Sequence, residues 1–199
     1  MAFKRFLISG LLSAVGLCFL LLISSSASAA TQIVSGGQLL GATGVIVDGN
    51  SYNVEFLDGT CIALYSGCEE VSDFTFQSEV AAGLAAQALL DQVFLDGDYL
   101  FDTDPELTNG CENVNRCASL TPYGAGSGTF DAYITTNFGA PESGEDTTQS
   151  AEPWGSSTFN SGSQAALTFA VWSPVPEPGT AVLMGLGLLG LSVRNRREI

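Results

Sequence analysis

Five carboxylates crowd one short stretch of the chain: Asp96, Asp98, Asp102, Asp104 and Glu106. Carboxylate oxygens at alternating positions are the hard ligands that Ca²⁺ takes, and an exported protein can use a weak site. These five are therefore candidate calcium ligands, and no other cofactor is implied. The pattern is not an EF-hand loop. A register begun at Asp102 puts Leu107 where the glycine belongs and Asn113 where the bidentate acid belongs. The same stretch also reads as a solvated loop in which Asp and Pro make the turns. Two of its acids could equally form a glycosidase pair, which needs a defined separation and a raised pKa on one member.

Other catalytic devices fail on inventory. The chain has no histidine, and Lys4 is its one lysine, so Ser-His-Asp, Cys-His and Ser-Lys units are excluded. The glycine-rich Gly124-Ala125-Gly126-Ser127-Gly128 lacks the lysine and helix opening of a phosphate loop and reads as flexible linker. Tyr65, Tyr123, Tyr133, Trp154 and Trp172 are candidates for stacking on sugars, and serve equally well as core residues.

The cysteines bear on architecture more than on chemistry. Cys61, Cys68, Cys111 and Cys117 are an even set, which in an exported chain reads as disulfides. Three pairings are open. Cys61–Cys68 with Cys111–Cys117 is favoured because each closes a short loop through turn-forming Gly67 or Asn113 and Asn115. Zinc fits poorly, since the spacings have six and five intervening residues and histidine is absent.

The elements that must position these residues are legible in the first half. Gly44–Val47 and Tyr52–Leu57 are strand-like around an Asp48-Gly49-Asn50 hairpin turn. Ser78 is a helix N-cap, and Glu79–Phe94 a helix that stops at Leu95-Asp96-Gly97, with Ala86, Leu90, Val93 and Phe94 as its buried stripe. Thr129–Phe138 and Gln164–Trp172 read as later strands. The residues between them are rich in Ser, Thr and Gly and read as a surface loop or disordered segment. The expected fold class is α+β: a small disulfide-stapled ectodomain with a β-hairpin, one main helix and further strands.

Both ends read as addresses. Lys4-Arg5, the apolar Phe6–Ile23 and the Ala27-Ser28-Ala29 pattern make a signal peptide over residues 1–29, with Ala27 and Ala29 as the signal-peptidase site and Cys18 discarded. At the other end, Pro176-Glu177-Pro178 precedes an apolar run from Gly179 to Val193 and the arginines Arg194, Arg196 and Arg197. That run has 15 residues, short against the roughly 17–25 of a membrane-crossing helix.

This tail resembles the PEP-CTERM sorting signal of exopolysaccharide-producing Gram-negative bacteria. The resemblance implies that exosortase, a membrane peptidase-transpeptidase, recognises and cuts the chain near Pro176-Glu177-Pro178. The apolar run at 179–193 is then a transient inner-membrane helix, stopped by the cytoplasmic arginines. Tyr52-Asn53-Val54-x-Phe56-x-Asp58-Gly59-Thr60-Cys61, Gly67-Cys68, Ala88-Leu89-Leu90-x-Gln92-Val93-Phe94 and Thr108-Asn109-Gly110-Cys111 also resemble a recurring ectodomain of PEP-CTERM proteins, one with no assigned activity.

The organisation expected is a signal peptide (1–29), an α+β core (30–140), a Ser/Thr/Gly-rich segment (141–163), a final strand (164–173) and the sorting signal (174–199). The ectodomain holds nineteen of the carboxylates against Arg116 alone, a formal charge of −18. Such a surface repels nucleic acid and anionic lipid. The functional expectation is a non-enzymatic protein exported through the inner membrane to the cell surface or extracellular matrix, associated with exopolysaccharide. The alternatives are a carbohydrate- or calcium-binding module, or a small glycan-active enzyme.

Overall fold

A computed structural model describes residues 30–139 and 144–176. The expected signal peptide, with Ala27 and Ala29, lies outside the described residues. So do Glu177, Pro178, the apolar run at 179–193 and the three terminal arginines. Among the described residues no helix is long and apolar enough to cross a membrane.

The described residues form seven strands: β1 (Thr31–Ser35), β2 (Gln38–Val47), β3 (Asn50–Leu57), β4 (Arg116–Gly126), β5 (Thr129–Phe138), β6 (Thr147–Ser156) and β7 (Leu167–Pro174). All join one sheet in the order β1-β2-β3-β7-β4-β5-β6. Every neighbouring pair is antiparallel except β4 and β7, which run parallel. Among the described residues, helix is confined to the four-residue α1 (Cys61–Leu64), the longer α2 (Glu79–Gln92) and three short 3₁₀ turns. The α+β expectation is therefore corrected: this is a sheet-dominated fold, with one substantial helix laid on a single mixed sheet.

Three two-residue turns explain much of the sheet. Gly36-Gly37, Asp48-Gly49 and Ser127-Gly128 all take positive φ at both positions. That geometry matches the right-handed twist of the strands they join and favours Gly, Asn and Asp. The first makes the β1–β2 hairpin, the second β2–β3 and the third β4–β5. The glycine-rich Gly124–Gly128 is thus the end of a strand and its turn, not a linker. The Ser/Thr-rich segment expected as a loop contains β6, an edge strand paired along β5. Thr and Ser suit such a strand because one of its faces meets solvent.

β7 is buried on both faces. Phe169 packs with Leu120, Phe130, Tyr65 and Phe74 on one side, while Ala170 and Trp172 join Val54, Phe56 and the helix on the other. Alternation along a strand sends successive residues to opposite faces, which gives the near-continuous apolar run expected of a central strand.

Helix α2 covers the second face. Ser78 caps it by accepting from the Ala81 amide. Its buried side is Ala82, Ala85, Ala86, Ala88 and Leu89, so Leu89 takes the central place expected of Leu90. Small alanines let the helix lie close enough for the Thr135 hydroxyl to donate to the Ala86 carbonyl at 3.1 Å. At the helix end, Gln92 bridges the Ile46 amide and carbonyl at 2.9 and 2.8 Å. The first face is covered by α1 and the chain to Phe74, held by the Cys61–Cys68 disulfide. That cover is short, and part of the face is left open.

Candidate glycan-binding groove

The open part of the first face, at the β7-β4-β5-β6 end, is a groove of about 660 Å³. Register places its floor. Leu167 on β7 stands beside Ala118 on β4, which stands beside Thr136 on β5, while Ile134 on β5 faces Gln149 on β6. One wall is aromatic: Trp154 and Phe159 meet edge to face, with ring centroids 5.0 Å apart. Trp154 is held from behind by Phe130, at 5.3 Å. The remaining rim carries Asn113, Gln149, Gln164 and Arg116.

Asn113 and Arg116 are placed by the second disulfide. Cys111 and Cys117 are bonded with Cα atoms 5.7 Å apart. The intervening loop is braced by the Asn113 side-chain oxygen, which accepts from the Asn115 and Arg116 amides. Among the described residues, the Asn113 side-chain NH₂, the side-chain amides of Gln149 and Gln164 and the Arg116 guanidinium have no hydrogen-bond partner. An aromatic edge beside uncommitted amides suits a sugar ring, whose C–H face stacks while its hydroxyls donate and accept.

A second, more polar pocket of about 420 Å³ adjoins the groove and shares Gln164 and Ala165 with it. Asp58 and Glu112 line it. Asp58 accepts from the Ser161 hydroxyl at 2.8 Å. Burial pushes its carboxyl above the usual carboxylate range, the Ser161 bond opposes this and the Glu112 charge adds to it.

The five acids singled out in the sequence lie in the segment that follows α2. Asp96 braces a turn, accepting from the amides of Asp102 and Thr103 and from the Thr103 hydroxyl at 2.6 Å. Slight burial raises its carboxyl, but those three bonds outweigh this and hold it below the usual range. Asp102 lies beside Asp146. Asp98 is exposed, Asp104 precedes a 3₁₀ turn, and Glu106 has one buried oxygen without a partner. Among the described residues no three His, Cys, Asp or Glu side chains come close enough together to hold a metal.

Of the aromatics weighed for stacking, Tyr65 and Trp172 are core residues, and Tyr133 packs against Gly83 of α2. Tyr123 is nearly buried, with its hydroxyl on Ser150 and Glu152. Trp154 alone lines the groove. Phe159, Gln149 and Gln164 were not singled out as site residues, because nothing local marks them. Arg116 carried a signal, as the one base of the ectodomain.

Among the described residues three carboxyls, those of Asp58, Asp131 and Asp146, have raised pKa values. Beside Asp58, burial lifts Asp131, with the Glu152 charge adding to it. Burial also lifts Asp146, opposed by the Phe138 amide bond and aided by Asp102. A carboxyl with a higher pKa in the folded than in the unfolded chain favours folding at low pH. That contribution is present below the ordinary carboxylate pKa and is lost as pH rises through the raised value. The thermal midpoint is therefore expected to rise as pH is lowered from neutral toward the carboxylate range, and Asp146→Asn to flatten the slope. Differential scanning calorimetry across that range checks it; a midpoint that falls on mild acidification contradicts it.

Residues 174–197 match the PEP-CTERM protein-sorting motif. The chain is thus an exported protein carrying an exosortase sorting signal, with exosortase as its processing partner. The match begins on Pro174, the last residue of β7. No curated protein and no solved structure matches the chain.

Proposed function

We propose that the protein is a non-enzymatic component of the cell envelope or matrix that binds exopolysaccharide in the groove described above. The observation that carries this reading is the Trp154–Phe159 wall beside unpartnered side-chain amides. The groove's own lining holds no carboxylate and no activated nucleophile, so binding is favoured over bond cleavage there. Export and sorting to the envelope supply the setting in which a polysaccharide ligand is met.

Trp154→Ala is expected to weaken polysaccharide binding by the full chain about tenfold, the usual scale for removing an aromatic anchor. Trp154→Phe, which keeps the packing on Phe130, should lose less. Affinity electrophoresis in gels containing neutral and acidic bacterial polysaccharides reads both. Unchanged mobility of the parent protein in every gel would sink the proposal. The adjoining Asp58 and Glu112 are where a glycan-active enzyme would keep its acid and base. Incubation of the full chain with each polymer is expected to release no reducing ends.

A further inference from the structure

Arg116 is the one cation of a domain with a formal charge of −18, and it lies on the rim of the groove. Among the described residues it makes no ion pair and its guanidinium no hydrogen bond, although carboxylates outnumber it nineteen to one in the ectodomain. A guanidinium in such surroundings ordinarily finds a carboxylate. This one is exposed, stands directly before Cys117 of the Cys111–Cys117 loop, and lines a groove whose other lining residues are neutral. We infer that Arg116 reads a carboxylate on the glycan, so that the groove selects chains in which an acidic sugar stands between neutral ones. This rests on the groove being a glycan site.

The restriction to a sparse acid follows from the neighbouring pocket. A chain leaving the groove past Gln164 and Ala165 enters a space lined by Asp58 and Glu112. A second carboxylate there meets two like charges, whereas a neutral sugar meets the hydroxyl of Ser163 and the amides of Asn109 and Gln38. The net charge of the domain acts the same way at longer range, repelling a polymer with an acid on every unit. At the Arg116 end the planar fork offers two parallel donors to one carboxylate, a geometry lysine cannot reproduce.

The test is calorimetry on the full chain with three probes of equal length. They are an octasaccharide with one glucuronate in every four sugars, the same octasaccharide after carboxyl reduction, and an oligogalacturonate. The first is expected to bind about tenfold more tightly than its reduced form, the worth of one charge-assisted bidentate contact, and the oligogalacturonate most weakly. Arg116→Gln should bring the first two within about twofold of each other. Arg116→Lys should restore less than half of the lost preference. If the reduced form binds the parent as well as the acidic one, or if Arg116→Gln keeps the preference, the inference fails while the glycan site stands. If none of the three binds, both fall.

Discussion

Phe169→Ala is expected to cost about 3–5 kcal/mol of folding stability, the range for emptying a fully buried aromatic site. Phe169 is 0% exposed on the central strand, with Phe130 at 5.7 Å and Tyr65 at 6.1 Å between ring centroids. Its neighbours cannot collapse into the space. Phe130 also supports Trp154, and Tyr65 is tied by its hydroxyl to the Ala170 carbonyl at 3.1 Å. A loss of that size consumes a large part of the roughly 5–15 kcal/mol that holds a typical domain together. Denaturant unfolding measures it. A loss below about 1.5 kcal/mol, the cost of a tolerated volume-conserving swap, would mean that β7 is not packed on both faces.

Gly110→Ala is expected to cost about 3 kcal/mol, by a different route. Gly110 has φ +87°, which disfavours any L side chain by roughly 1–2 kcal/mol. An added Cβ would also lie 2.6 Å from the Thr168 Oγ1 and 2.8 Å from the Asp58 Oδ1. Overpacking of that kind adds roughly 1–3 kcal/mol. Thr168→Ala in the same chain removes the Oγ1 clash, the closest, while the Thr168 Cβ stays at 2.9 Å, and should recover part of the loss, giving a favourable coupling in a double-mutant cycle. Additive costs would show that the contact with the Thr168 hydroxyl contributes nothing to the loss. The alanine also presses on Asp58, so it is expected to disturb the polar pocket more than the aromatic groove.

What the sequence made legible follows the range of the forces involved. The Asp48-Gly49 turn and the Ser78 cap act over a few residues, and both stand where local rules put them. The sorting signal is likewise a contiguous pattern. β4 is hidden by its own punctuation: Gly124–Gly128 reads as flexible linker, and Pro122 just before it is a residue that strand interiors exclude. In the sheet, Pro122 sits at a register shift between Pro122 and Gly124. A bulge is where a strand tolerates a residue that cannot donate to the ladder. Asp131 then packs close against Gly124, where a side chain would not fit. β6 was hidden because an edge strand of Ser and Thr has no apolar run to announce it.

The groove could not be read at all from local pattern. Its floor comes from four strands whose order in space is not their order in the chain, and its wall joins Trp154 to a loop phenylalanine. The acidic stretch drew attention because its residues are close in sequence. Arg116 and Trp154, which line one groove, stand far apart in sequence and belong to strands separated by β5.

The position of β7 also sets a clock. It is the last strand to be synthesised, yet it lies between β3 and β4 and joins two otherwise separate halves of the sheet. Until it arrives, β3 and β4 each present an open edge of unpaired amides and carbonyls, the kind of surface that recruits other chains. The Val175 amide still bonds the Ser51 carbonyl at 2.9 Å, so the zipper closes within a residue of Pro176. The sorting motif begins on Pro174. No slack therefore separates completion of the domain from its delivery: the strand that seals both open edges runs directly into the segment that hands the chain to the peptidase.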